Sequence, residues 1–196
     1  TYADGSQAKK DWIAFRQDVI TSFVKQVCDL TWEIRPDVWL SAACYPDVWA
    51  APNRIFQNCA AWVRNGYMDE IFSMTYSTFT DFVVSNAADF SSFTDGKCFY
   101  SVGLTLFSGN SGEELANQIL AVRETKAEGT ALFSLGSLIG YKEYENVIEN
   151  KTFRTKAVSR YLLDITAAAY CADLIDKCDT LYSVYVPEAA GIIESV

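Results

Sequence analysis

Four short apolar runs alternate with amphipathic segments along this chain, and the alternation limits the folds that are open to it. The apolar runs are VWLSAAC (38–44), DEIFSMTY (69–76), KCFYSVGLTLF (97–107) and TALFSLGSL (130–138). Each is almost continuously apolar, which is typical of strands in a parallel sheet that is covered on its faces. The segments between them predict the helices that connect such strands. The sequence therefore predicts an α/β fold built from parallel βα units.

The amphipathic segments predict helices at residues 10–35, 53–66, 80–93 and 111–129, and a C-terminal helical segment at 150–182. In the first, apolar side chains recur every three or four positions from Trp12 to Ile34. The fourth begins with a capping box from Ser111 to Glu114 and stops at Gly129. No repeat, low-complexity tract or linker interrupts the chain, so residues 1–196 are predicted to form a single domain.

The number of strands leaves two architectures open. Four βα units cannot close the eight-stranded barrel that is one common result of this pattern. The chain is therefore expected to be either a small open sheet or part of a barrel. In both cases the ligand site lies at the carboxyl ends of the strands.

Aromatic and hydroxyl side chains dominate the positions that follow the predicted strands. They are Tyr45, Asp47 and Trp49, then Tyr76 and Ser77, then Thr105, Phe107 and Ser108, and finally Ser134, Ser137 and Tyr141. A ring with a polar tip suits carbohydrate, because a sugar has an apolar C–H face for stacking and hydroxyls for hydrogen bonding. The alternative is that these rings simply seal the ends of the sheet.

Charge and hydropathy exclude two other classes of function. The net charge is −9 and the pI is about 4.5, and the sixteen Lys and Arg residues form no basic stripe, so no nucleic-acid partner is expected. No apolar stretch reaches the roughly eighteen residues of a membrane span, and the start of the chain has no apolar signal-peptide core. The chain does not begin with Met, and we expect it to be a processed or excised piece.

The cysteines and the absence of histidine narrow the chemistry further. The six cysteines form no C-x-x-C pair and there is no His, so we expect neither a metal site nor another cofactor. Most of the cysteines are interpreted as small buried apolar residues. Without His, the Ser-His-Asp and Cys-His routes are closed, and catalysis would have to use carboxylates, tyrosines or lysines.

Five segments, taken in order, resemble the second half of a bacterial barrel family, glycosyl-hydrolase-like ten. They are DWIAFRQDVITSFVKQV, RPDVWLSAACYPDVW, WVRNGYMDEIFSMTYS, VGLTLF and GTALFSLGSL, and they cover roughly residues 9 to 140. In that family a W-x-x-x-R helix leads into the fifth strand, G-x-x-D-x-I-x-x-M-x-Y forms the sixth, and G-x-x-L-F-S-x-G-S-L forms the eighth. The matching residues here are Trp12, Arg16, Gly66, Asp69, Met74, Tyr76 and 132–138.

The resemblance implies a (β/α)8 barrel that acts on glycosidic bonds, of which this chain is strands five to eight with an extra C-terminal helix. Two features depart from the family. The strand-four motif D-x-x-R-Y-P, whose Asp is the leading catalytic carboxylate, would lie before the first residue of this chain, and Ser73 replaces the usual Pro before Met74. The chain is therefore expected to be incomplete as an enzyme without an upstream half.

The resulting hypothesis is a glycosidase-like domain of an extracellular, cell-surface or periplasmic protein. Asp47 is the candidate orienting or acid/base carboxylate, although an Asp after a Pro is also what a turn uses. The predicted substrate-binding residues are Tyr45, Trp49, Met74, Tyr76 and Ser137. The alternative is a noncatalytic carbohydrate-binding or scaffold domain. In either case two unpaired sheet edges would favour a homodimer or a partner barrel half.

Overall fold

The computed structural model describes residues 3–106 and 109–155, together with Ile175. The fold below is that of the compact unit Thr1–Arg154. Phe107, Ser108 and nearly all of the predicted helical segment 150–182 lie outside the described residues, and the single domain 1–196 stays a prediction. The strands are β1 (Ser41–Cys44), β2 (Glu70–Ser73), β3 (Phe99–Thr105) and β4 (Gly129–Phe133). The helices are α1 (Gln7–Ile34), α2 (Ala51–Arg54), α3 (Cys59–Arg64), α4 (Thr80–Thr94), α5 (Gly112–Arg123), α6 (Leu135–Gly140) and α7 (Lys142–Val147), followed by a π-helical turn, Ile148–Thr152.

The four strands form one open sheet in the order β1-β2-β3-β4, and every neighbouring pair is parallel. The predicted α/β class with parallel βα units is confirmed. Each crossover leads to the next strand in the same direction, and right-handed crossovers of this kind place their helices on one face of the sheet. A doubly wound sheet would instead reverse its strand order at a switch point. A segment of a (β/α)8 barrel has the same strand order, although the four strands here do not close into a barrel.

The two faces of the sheet differ as this topology requires. Side chains of one face form the hydrophobic core with α1, α3, α4 and α5, and they include Cys44, Ile71, Tyr100, Val102 and Leu104. The alternate residues point to the other face. Of these, Phe72, Ser101, Gly103 and Phe133 all lie outside the core cluster. We call this second face the helix-free face, because the core cluster shows the described helices packing only on the first.

Two predicted helix boundaries were wrong. The predicted helix 53–66 is divided into α2 and α3, because Phe56 has a left-handed backbone (φ 63°) and the Asn58 side chain caps a new helix by accepting from Ala61 N at 3.1 Å. Gly129 does not stop α5 but begins β4, where a Cβ would lie 2.8 Å from Ser101 Oγ.

The fourth predicted strand also ends earlier than expected. Its register pairs Phe133 with Thr105, the last residue of β3, so the ladder has no partner for later residues. Residues Leu135–Gly140 form α6 instead. The peptide bond between Phe133 and Ser134 is cis.

The long helix α1 has an apolar stripe that the described unit leaves exposed. Cys28 is its only buried residue among those described, while Ile20 and Val24 pack against the core from the same side. A second stripe is between 42% and 66% exposed, and it consists of Trp12, Phe15, Val19, Phe23, Leu30 and Ile34. Within the described ranges, no helix combines the length and hydrophobicity that a membrane span requires.

Candidate functional site

Two aromatic rings meet at the carboxyl end of the sheet, on its helix-free face. The ring of Tyr76, which follows β2, stacks on the ring of Phe133, the last residue of β4, with 5.6 Å between centroids and 22° between planes. To reach Phe133 the tyrosine ring crosses β3 above Gly103. Burial raises the pKa of Tyr76, so its hydroxyl stays protonated and remains a hydrogen-bond donor at neutral pH.

Gly103 makes this arrangement possible. A Cβ at position 103 would lie 2.3 Å from Ser73 O in the neighbouring strand and 3.5 Å from Tyr76 Cε1. The first distance is far inside van der Waals contact, and its partner is a backbone atom that cannot rotate away. The absence of a side chain therefore lets β2 and β3 approach closely and leaves room for the tyrosine ring.

The loop after β1 carries three of the predicted site residues in different surroundings. Tyr45 directly follows Cys44, and strand alternation places it on the helix-free face, beside Met74 of the next strand; Met74 N donates to Cys44 O at 2.9 Å. Asp47 is exposed, and its carboxylate accepts from Ala50 N at 2.9 Å. Trp49 is exposed, and its indole Nε1 donates to Asp89 Oδ1 of α4 at 3.1 Å, which directs the ring toward the helix layer.

A buried chain of hydrogen bonds joins this loop to the strands. The Tyr100 and Ser73 hydroxyls are 2.9 Å apart, Ser73 and Thr75 are 2.8 Å apart, and Thr75 Oγ1 lies 2.6 Å from Asn86 Oδ1. Asn86 Nδ2 donates to the carbonyl of Pro46. We call these residues the Asn86 network.

The donor and acceptor groups of the Asn86 network determine which residue donates in each of its hydrogen bonds. Asn86 Oδ1 can only accept, so the single hydroxyl proton of Thr75 is donated to it. Ser73 must then donate to Thr75, and Tyr100 to Ser73. Burial raises the pKa of Tyr100, which keeps that first donor protonated. The network thus ties the loop that carries Tyr45 and Asp47 to the end of β2 and, through the Tyr100 side chain, to β3.

A second group of buried amides fixes the end of β3 to the loop after β2. Gln118 Nε2 donates to Ser77 O at 2.9 Å, and Asn110 Nδ2 lies 3.3 Å from both Thr105 O and Gln118 Oε1. Tyr144 donates to Asn110 O at 2.5 Å. These bonds hold the carboxyl ends of β2 and β3 in one rigid arrangement.

A cavity of about 380 Å³ lies at the carboxyl end of β3, lined among others by Asn110, Tyr141 and Glu143. The Glu143 carboxylate accepts from Gly112 N, at the start of α5, at 3.0 Å. Two further cavities lie elsewhere in the described part of the chain. One of about 540 Å³ is in the groove between α4 and α5, and one of about 370 Å³ is beside Trp39 and Phe99 at the amino ends of the strands.

The structure brings some of the predicted site residues together and separates others. Tyr45, Met74 and Tyr76 share the helix-free face at the carboxyl ends of β1 and β2. Ser137 is half-buried within α6 rather than at a strand end. Trp49 faces α4.

Sequence reasoning missed Phe133 and Glu143 as site residues. Phe133 was visible only as part of an apolar run, and its role depends on the register of β4 against β3. Glu143 stands in a run of charged and polar residues, and its hydrogen bond with Gly112 joins residues that are distant in sequence.

The chemistry of this end of the sheet suits the binding of an apolar surface that carries oxygen atoms. Among residues 3–106 and 109–155, no group of three or more Cys, Asp or Glu side chains is placed to hold a metal ion. An apolar ring pair with a protonated hydroxyl can stack against an apolar surface and donate to an oxygen. Two of the acids at this end of the sheet, Asp47 and Glu143, accept from backbone amides.

A family model described as glycosyl hydrolase-like 10 matches residues 1–123, which is more than half of the chain. No curated protein and no solved structure matches the chain significantly.

Proposed function

The chain belongs to the glycosyl hydrolase-like 10 family, and from this premise we propose that it is the C-terminal half of a (β/α)8 barrel of an exported bacterial protein that binds or cleaves a polysaccharide or oligosaccharide. The observation that carries the proposal is the Tyr76–Phe133 pair on the helix-free face. In a closed barrel this face is the interior, and its carboxyl end is where the ligand lies. A sugar ring would lie against the Tyr76–Phe133 ring pair, of which Phe133 is 53% exposed.

The other predicted residues take supporting roles in this proposal. Tyr45 and Met74 extend the floor of the cleft toward β1. Trp49 and Ser137 stay in the proposal as outlying substrate contacts, because the Trp49 ring is directed toward α4 and Ser137 lies within α6. Asp47 is proposed as the orienting or acid/base carboxylate.

Hydrolysis needs a second carboxylate that this half does not supply in an obvious place. Glycosidases hold two carboxyl groups about 5 to 9.5 Å apart across the scissile bond. We propose that the main catalytic carboxylate comes from the other barrel half, facing Asp47 across the cleft.

Binding to a panel of soluble and insoluble polysaccharides tests the proposal. We expect Tyr76→Ala and Phe133→Ala to weaken binding at least about tenfold, because losing an aromatic stack costs on the order of 1.5 kcal/mol and 1.4 kcal/mol is a factor of ten. Affinity electrophoresis and isothermal titration would measure the change.

The matched control is Trp39→Ala. Trp39 stacks on Phe99 at 5.0 Å at the amino ends of the strands, so its loss removes a similar ring pair far from the proposed cleft. If the wild-type chain binds a polysaccharide and both cleft variants bind it equally well, the proposed cleft is wrong.

A noncatalytic carbohydrate-binding or scaffold domain is the second candidate, and one observation favours it. Asp47 and Glu143 already accept hydrogen bonds from backbone amides, which is a sufficient structural reason for these two acids. Reducing-end release from the bound polysaccharide separates the two candidates. Binding without any release, also after the upstream half is added, would favour the noncatalytic domain.

The half-barrel proposal predicts association. The exposed α1 stripe lies on the helix that leads into β1, and β1 and β4 are the two edge strands. A preceding strand and helix would cover the stripe and pair with β1. We expect the chain alone to sediment as a dimer or larger species, and Phe15→Glu with Phe23→Glu to reduce this association. A monodisperse monomer that unfolds cooperatively would contradict the proposal.

A further inference from the structure

The cavity of about 380 Å³ at the carboxyl end of β3 has no role in the proposed cleft, yet packed elements form its wall. The N–H of Gly112, at the start of α5, donates to the Glu143 carboxylate of α7 at 3.0 Å. A Cβ at Gly112 would lie 3.1 Å from both the Glu143 carbonyl oxygen and Val147 Cγ2, so α7 lies directly against α5. The volume is within the range of small-molecule sites, roughly 300 to 1,000 Å³.

Asn110 lines this cavity and carries a buried oxygen that has no hydrogen-bond partner among the described residues. Asn110 is 4% exposed. Its Nδ2 lies 3.3 Å from both Thr105 O and Gln118 Oε1, and this fixes the orientation of the amide because the Thr105 carbonyl can only accept. Asn110 Oδ1 is then left without a partner. Since buried polar atoms are nearly always hydrogen-bonded, this oxygen marks a place where a ligand supplies the missing donor.

Two further side chains of the cavity also present acceptors. The Tyr144 hydroxyl donates its only proton to Asn110 O at 2.5 Å, so its oxygen is left to accept. The Glu143 carboxylate has two oxygens with about four acceptor sites, of which the bond from Gly112 N uses one. The described residues that line the cavity include no Lys or Arg. A ligand that fits therefore brings hydrogen-bond donors, and a positive charge on it would face a carboxylate.

Two tyrosine rings form a corner beside these acceptors. The rings of Tyr141 and Tyr144 meet edge to face, with 5.8 Å between centroids and 71° between planes. Tyr144 is buried, whereas Tyr141 is 60% exposed. An exposed aromatic ring can pack against the apolar face of a sugar, and it also attracts a nearby cation.

We propose that this cavity binds a sugar that carries a free, protonated amino group, whose ammonium donates to Asn110 Oδ1 and to the Glu143 carboxylate while the sugar ring lies against Tyr141. A primary ammonium has three N–H donors and no acceptor, which complements the acceptors of the cavity. An acetylated amine is neutral and has a single N–H, and it fits this set less well. The inference rests on the proposed function only for the choice of a sugar as the body that carries the amine.

Titration of the full, ¹⁵N-labelled chain with glucosamine, N-acetylglucosamine and glucose tests this inference by NMR. The three sugars share one ring and differ at one substituent. We expect glucosamine to bind at least about ten times more tightly than the other two, because a hydrogen bond to a charged group is worth at least the 1.4 kcal/mol that a factor of ten requires. The side-chain amide signal of Asn110 should shift with glucosamine and much less with the neutral sugars.

Cyclohexylamine separates the ammonium from the sugar that carries it. It has an ammonium on a ring of similar size but no hydroxyls, and we expect it to bind more weakly than glucosamine. Equal or tighter binding of cyclohexylamine would overturn the sugar part of the inference.

Two variants of α7 make the result specific. Glu143→Gln keeps an acceptor for Gly112 N but removes the charge, so it should lower the affinity for glucosamine at least about tenfold. Glu145→Gln removes the same charge from an exposed position of α7 outside the cavity, and it should leave the affinity unchanged. If glucosamine binds no better than glucose, or if both variants lose the same affinity, the inference is wrong.

Tyr76→Ala keeps this test separate from that of the proposed function. Tyr76 is not among the residues that line this cavity, so the variant should bind glucosamine as the wild-type chain does. Loss of polysaccharide binding in Tyr76→Ala with unchanged glucosamine binding would support both proposals. Loss of glucosamine binding in this variant would contradict a separate amino-sugar site.

Discussion

Gly103→Ala is expected to destabilise the described unit by about 3 kcal/mol, at the upper end of what overpacking a core costs. The new Cβ would lie 2.3 Å from Ser73 O, and the clash is with backbone rather than with the tip of a side chain. Relief requires β2 and β3 to separate, which weakens their ladder near the centre of the sheet. The midpoint of urea unfolding, followed by circular dichroism, would measure the loss.

Gly140→Ala is the matched control for this prediction. Gly140 ends α6, nothing lies within 4 Å of the added carbon, and its backbone is not left-handed. We expect a change within about 0.5 kcal/mol, as for most surface substitutions. Equal stability of the two variants would show that the close approach of β2 and β3 is not as described.

The same substitution connects the fold to the proposed site. The added carbon would also lie 3.5 Å from Tyr76 Cε1, so any shift of β2 that relieves the clash moves the strand from which Tyr76 extends. A variant that still folds should therefore lose polysaccharide affinity together with stability. Stability and affinity are coupled because the missing side chain of Gly103 both allows β2 and β3 to approach closely and leaves room for the Tyr76 ring.

Much of the fold could be predicted from local pattern. The alternation of apolar runs with amphipathic segments predicted the parallel βα units. The helix start at Ser111 was also correct, since Ser111 Oγ accepts from Glu114 N at 3.1 Å, whereas the Glu114 carboxylate accepts from Thr80 Oγ1 at 3.0 Å. Tyr45 and Tyr76 were placed at one end of the sheet by the rule that ligands bind at the carboxyl ends of parallel strands. Each of these inferences needs only neighbouring residues or a topological rule.

The features that were missed depend on contacts between distant residues. The site role of Phe133 follows from the pairing of β4 with β3, which no local pattern reveals. The break between α2 and α3 depends on the left-handed backbone of Phe56. Gly129 resembled a helix stop in the sequence, but a glycine is needed there because the Ser101 side chain of β3 lies close to it. Asn86 looked like an ordinary polar residue of an amphipathic helix, yet its amide bonds the carbonyl of Pro46, forty positions away.

Asn86→Leu tests that last feature, and we expect it to cost about 3 kcal/mol of unfolding free energy. Asn86 is 4% exposed, and leucine fills a similar volume but leaves the Thr75 hydroxyl and the Pro46 carbonyl without this partner. Each buried polar group that loses its partner costs about 1 to 3 kcal/mol. Asn146→Leu, at an exposed position of α7, is the matched control and should change stability by no more than about 0.5 kcal/mol.

A double variant shows whether the cost comes from the unsatisfied network or from poor packing. Thr75→Val combined with Asn86→Leu removes both ends of one hydrogen bond, and replacing both partners by apolar groups costs much less than leaving one alone. The double variant should therefore be more stable than the sum of the two single changes predicts, by about 1 kcal/mol or more for such a contacting pair. Strictly additive losses in urea unfolding would mean that Thr75 and Asn86 are not coupled and that the loop carrying Tyr45 and Asp47 is held instead by packing and by Gln57, whose side chain bonds Tyr45 N and Ala43 O.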